Sequence, residues 1–115
     1  MSRKDDNLYF GHMLDMARKI EQKSQGLTRQ RFNDDENLRL ALLHLVQTIG
    51  EAARRVSEVG REAHPKIPWR GITGMRHRIV HDYLEISDDV LWEVIKKDIP
   101  PLLSILEKIN PPEEL

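Results

Sequence analysis

Between Asn33 and Glu58 the chain carries Leu38, Leu42, Leu45, Val46, Ile49, Ala52, Ala53 and Val56 at spacings of three and four. Only an α-helix gathers such a set onto one side. Asn33 with Glu36 three positions later looks like a capping-box start, and Gly60 is the expected stop. A helix this long dominates any architecture open to 115 residues.

The remaining segments repeat the pattern. Asp6 to about Lys23 reads as a first helix through Tyr9, Met13, Met16, Ala17 and Ile20, ended by Gly26 and the polar run after it. The prolines of His64-Pro-Lys-Ile-Pro68 forbid a continuous helix, and Pro68 suits the first position of the next. That third helix is expected from Trp69 to Tyr83, with Ile72, Met75, Ile79, Val80 and Tyr83 as its apolar side. Ser87 should cap a fourth, whose first turn holds Asp88 and Asp89 where the helix dipole favours negative charge. Pro100 and Pro101 are expected to break or kink it before a last segment, Leu102 to Ile109. No alternating window competes as a strand. The expectation is one all-α domain over residues 1–115, an antiparallel bundle of four to five helices. Gly50, Ala52 and Ala53 would let a neighbour approach the long helix closely, and Trp69 and Trp92 read as packing or interface anchors.

With no cysteine, the chain has no disulfides, thiol nucleophiles or Cys-based metal sites. It shows no secretory signal and no run of the ~20 apolar residues a membrane span needs, so a cytoplasmic location is expected. GxGxxG, GxxxxGK[ST] and HExxH are all absent. Net charge is -1, but its distribution is uneven. Residues 61–81 hold Arg61, Lys66, Arg70, Arg76 and Arg78 against Glu62, whereas residues 82–98 hold six acids against Lys96 and Lys97. Such a step marks either an anion-facing edge or two solvated helix faces of opposite sign.

Reactive side chains concentrate in Met75-Arg-His-Arg-Ile-Val-His-Asp-Tyr83. His77 and His81 are spaced as paired zinc ligands often are, but further ligands would have to come from Asp82, His44 or His64, and no metal site or cofactor is expected. In a continuous helix Arg76 lies within about 40° of Ile72, Val80 and Tyr83, so its stem would leave the apolar side. A guanidinium there is either paired, with Glu51 as first candidate, or held at a crevice for an anion such as phosphate. His81 can exchange a proton at cellular pH. On a regular helix Arg76 and His81 point about 140° apart. They converge only where the helix ends near His81, or where a second copy of the chain completes the site.

The run Ile67-Pro-Trp-Arg-Gly-Ile-Thr-Gly-Met-Arg-His-Arg-Ile-Val-His-Asp-Tyr-Leu84, with Leu91-Trp-Glu-Val-Ile-Lys-Lys-Asp-Ile-Pro100 after it, closely resembles HepT-like proteins of the HEPN superfamily. Ile49-Gly-Glu-Ala-Ala-Arg-Arg-Val-Ser57 looks like the same family's central helix. The resemblance implies a toxin of a prokaryotic toxin–antitoxin pair, a metal-independent endoribonuclease acting on RNA as a homodimer. It implies Arg76 and His81 as the catalytic pair. Its partner would be a separately encoded MNT-type nucleotidyltransferase antitoxin that transfers AMP to Tyr83. His77 stands where Asn or another polar residue is usual; together with Arg78 and Glu51 it is a candidate auxiliary residue. A non-catalytic helical module that docks a nucleotide or a nucleotidyltransferase is the competing reading.

Overall fold

The computed structural model describes residues 3–80 and 85–109, all of them in helices or short connections apart from a single bridge. The first helix, α1 (Arg3–Ser24), buries Phe10, Met13, Leu14, Ala17 and Ile20 along one side. Gly26 ends it at φ 70°, a left-handed conformation that glycine adopts without steric cost. The short α2 (Arg29–Asp34) is capped by Thr28, whose hydroxyl accepts from the Arg31 amide, and it buries Phe32 completely.

The long helix is shorter than the sequence pattern suggests. Asp35, rather than Asn33, caps α3 (Glu36–Arg55): its carboxylate accepts from the Leu38 amide at 2.9 Å while its own N–H donates to the Phe32 carbonyl. At the other end α3 stops before Gly60. Val56 turns to φ -68°, ψ 134°, and Ser57 caps a separate α4 (Glu58–Ala63). The cause lies across the bundle. Asp6, buried near the start of α1, accepts from the Ser57 amide at 2.8 Å and from its hydroxyl at 2.6 Å. The Ser57 hydroxyl in turn accepts from the Gly60 amide at 3.0 Å. This three-residue relay replaces the helical hydrogen bonds that would otherwise carry α3 onward.

The third predicted helix is bent into α5 (Trp69–Thr73) and α6 (Met75–Ile79) at Gly74, with Pro68 just ahead of α5 rather than inside it. Val80 is extended and bridges to Ile86, and the Ser87 amide donates to the Ile79 carbonyl at 2.7 Å. Ser87 caps α7 (Asp88–Glu93) as expected, accepting from the Val90 amide. Pro100 and Pro101 do not interrupt the chain's last rod. A π-helical turn over Val94–Asp98 widens it, and α8 (Ile99–Ile109) continues without a gap. The Ile99 amide reaches the Val94 carbonyl five residues back, so both prolines fall in the first turn of α8, where missing amides and ring bulk are tolerated.

Cross-links fix the directions. Asp6 on α1 meets Ser57 beyond α3, so these helices run antiparallel. Lys96 bonds the Ser24 carbonyl and Arg18 pairs with Glu107, so the last rod also opposes α1. With α5–α6 as the fourth rod, the expected all-α antiparallel bundle is what the chain forms. Leu42, Val46, Ile49, Ile79, Leu91, Ile95, Ile99 and Leu106 close a common core. Among the described residues no helix is long and apolar enough to cross a membrane.

Burial alone would raise the Asp6 carboxyl, but the Ser57 hydroxyl and amide outweigh it and hold it below its ordinary 3.8. A lowered folded value means the carboxylate contributes stability above that pH, which is lost as the solution is acidified through the folded value. Asp6→Asn should therefore flatten the acid limb of a stability-versus-pH curve measured by chemical denaturation. Ser57→Ala should cost about 1–3 kcal/mol at neutral pH, as expected for a buried carboxylate losing a donor. At Gly60, an added Cβ would stand 2.5 Å from the Asp6 carboxylate and 2.9 Å from Val56. Gly60→Ala should thus lower the melting temperature, although alanine is the better helix former.

Candidate functional site

The site begins with a close approach. Gly50 on α3 lies under the Ile72 carbonyl of α5, and a Cβ added there would sit 3.3 Å from that oxygen. Gly50 allows the contact, as the small-residue pattern predicts, while Ala52 and Ala53 are buried beside it in sequence. The result sets Thr73 and Arg76 beside Gln47, Glu51 and Arg54 around a recess of about 30 Å³. Arg54 ties the walls together by donating from Nη2 to the Thr73 carbonyl at 3.1 Å.

Arg76 does not leave the buried side of its helix, contrary to the continuous-helix expectation. The bend at Gly74 puts Ile72, Met75 and Ile79 into the core, and Arg76, a step of about 100° from Met75, is exposed at the mouth of the recess. Among the described residues no carboxylate lies within ion-pairing distance of it. Glu51 shares the recess but is exposed and not bonded to Arg76. The two arginines outnumber this one acid, so the recess has the sign an anion requires. Of the two readings of Arg76, the guanidinium held at a crevice is the one the geometry favours.

The other named residues distribute unevenly. Arg78 faces away from the recess and pairs with Asp98 at 3.3 Å on the last rod. His77 is exposed on α6. His81 and Tyr83, together with Asp82, lie outside the described residues. Because the regular helix ends at Ile79 and Val80 is extended, the 140° separation calculated for a continuous helix no longer applies. Of the histidines weighed as further metal ligands, His44 is exposed on α3 and His64 packs edge-on against Phe10 at 5.1 Å. Among the described residues no three His, Cys, Asp or Glu side chains gather as a metal would need.

Arg54 is the residue that sequence reasoning missed. Its place one turn beyond Gly50 was readable, but not which edge of α3 the α5–α6 rod would cover. A second cleft, about 220 Å³, lies beyond Glu51 between α1 and α3, lined by Tyr9, His12, Thr48 and Arg55. Trp69 serves as an anchor: its indole donates to the Arg61 and His64 carbonyls at 3.2 and 3.1 Å, and its ring stands edge-on to Phe10. Trp92 packs against Phe32 with the cations of Arg29 and Lys96 over its ring.

Comparison with known proteins places this geometry. The chain is 32% identical over 101 residues to "Putative RNase TTE0752" of Caldanaerobacter subterraneus subsp. tengcongensis, covering 88% of this chain and 90% of the relative. It is 32% identical over 91 residues to "Probable ribonuclease HepT" of Thermococcus cleftensis, covering 79% and 83%. It is 27% identical over 107 residues to "Putative RNase MJ1380" of Methanocaldococcus jannaschii, covering 93% and 98%. No solved structure matches. The family described as "Ribonuclease HepT-like" matches residues 13–109, from the middle of α1 to the end of α8, and so takes in both walls of the recess. The protein belongs to the HepT-like ribonuclease family.

Proposed function

We propose that this chain is the toxin of a toxin–antitoxin pair, a metal-independent endoribonuclease in which Arg76 and His81 act on one RNA phosphate. The observation that carries the reading is the exposed Arg76 guanidinium, without a carboxylate partner among the described residues and set against Arg54 across a recess whose walls are joined by a 3.1 Å hydrogen bond. Arginine binds phosphate oxygens through a planar fork and stays charged throughout.

His81 on one side removes the proton of an RNA 2'-hydroxyl. The 2'-oxygen bonds to the adjacent phosphorus, the bond from phosphorus to the 5'-oxygen breaks, and an imidazole on the far side returns a proton to that oxygen. The products are a 2',3'-cyclic phosphate and a 5'-hydroxyl. Arg76 stabilises the charge gathering on the phosphoryl oxygens, with Arg54 as a second donor. In-line transfer needs its acceptor and donor on opposite faces, yet one chain has a single motif imidazole at position 81. A two-fold homodimer presenting His81 from each copy meets that need. The small size of the recess supports it, since about 30 Å³ holds a water or two and leaves a phosphate open on its outer side. Transfer of AMP to Tyr83 by a nucleotidyltransferase antitoxin would add a bulky anion to the motif that carries Arg76 and exclude RNA by occupancy and repulsion.

The test is cleavage of a fluorescent RNA by purified wild type, Arg76→Ala and His81→Ala in EDTA. Wild type should cut, Arg76→Ala should lose about 10²–10³-fold in rate and His81→Ala about 10²–10⁴-fold, with melting temperatures unchanged. Intact RNA with folded wild type would instead favour the non-catalytic binding module, and equal cleavage rates for all three would rule out Arg76 and His81 as the catalytic pair.

A further inference from the structure

The rod that carries Arg76 has a second face. Turned from the α3 recess, α5–α6 and the last rod enclose a cavity of about 370 Å³, within the range of small-molecule sites. Its floor is hydrocarbon: Ile72 and Met75 from one rod, Leu102 and Ile105 from the other, with Pro68 and Pro101 at the sides. Its polar lining is entirely charged. Lys66 lines it together with Lys97 and Asp98 of the π-helical turn. Asp98 is already paired with Arg78, so Lys66 and Lys97 remain, and among the described residues neither has an ion-pair partner.

From these observations we infer that this cavity binds an amphipathic organic anion, a hydrocarbon body with one carboxylate head that Lys66 and Lys97 hold at the rim. Three features choose that class. Among the described residues the floor offers apolar area and no hydrogen-bonding side chain, so a body with hydroxyls would leave them unsatisfied. Among the same residues no Ser, Thr, Asn or Gln lines the cavity, which disfavours a sugar or a nucleoside. The rim carries two unneutralised cations and no free acid, which rejects a cationic head and suits a single anionic one. Lys97 and Asp98 belong to the π turn, and such turns are frequent at functional sites.

Decanoate is a suitable probe, titrated calorimetrically into the full-length wild-type protein, with AMP as the nucleotide comparison. Saturable binding of one decanoate per chain in the micromolar range is expected, and AMP should not displace it. Lys66→Gln/Lys97→Gln, both at exposed positions, should weaken decanoate roughly tenfold or more, the size of losing one to two charge-assisted contacts. Ile105→Trp, which fills the floor, should abolish it. The double lysine variant carries the test if the tryptophan variant does not fold. No saturable decanoate binding, an unchanged affinity in the lysine variant, or displacement of bound decanoate by AMP would each overturn the assignment. None of these measurements involves RNA, so the result stands apart from the ribonuclease reading.

Discussion

Everything that matters about the recess stems from two backbones meeting at Gly50. Helix α3 is packed on several sides at once, by α1 along its apolar stripe and by α5–α6 across its other edge, and only small residues permit the second contact. A side chain at position 50 would press on the Ile72 carbonyl, and the rod carrying Arg76 would move outward. The Arg54 bond to the Thr73 carbonyl then fixes the two rods in register. A guanidinium that must meet a phosphate needs this kind of support, because the supporting shell decides whether charge is aimed or merely nearby.

The end of α3 just beyond the recess is organised by a buried carboxylate. Asp6 gathers the amide and hydroxyl of Ser57 and so decides where α3 stops and where α4 starts. That termination turns the chain toward Trp69, whose indole bonds the Arg61 and His64 carbonyls and seats α5 at the start of its crossing over α3. Arg61 reinforces the turn by donating to the Arg54 carbonyl at 3.1 Å, a cation placed at the negative end of the helix. The junction touches the recess through Arg54 and sets the path of the segment that builds it.

Helical periodicity made the all-α class, the first helix, the buried stripe of α3 and the Ser87 cap legible from sequence, because each depends on residues three or four apart. The breaks were not legible in the same way. Asn33 and Asp35 are both good caps, and the choice of Asp35 rests on the separate burial of Phe32 in α2. The stop at Val56 depends on Asp6, fifty residues earlier, which no local pattern records. The prolines at 100 and 101 are strong breakers locally, but a widened turn just before them lets the rod continue. Arg76 was expected on the apolar side, but the bend at Gly74 leaves it exposed, and Arg54 entered only through the crossing of two rods. His77 and Arg78 are neighbours of Arg76 in sequence, yet Arg78 is committed to Asp98 on the far side.

The proposed cleavage over the recess uses side chains alone. Its most direct measurement is the identity of the RNA ends left by the purified wild-type protein in EDTA, read by mass spectrometry of the fragments. A 2',3'-cyclic phosphate on one fragment and a 5'-hydroxyl on the other is the predicted result. Fragments ending in a 3'-hydroxyl and a 5'-phosphate, formed only when a divalent cation is restored, would contradict it.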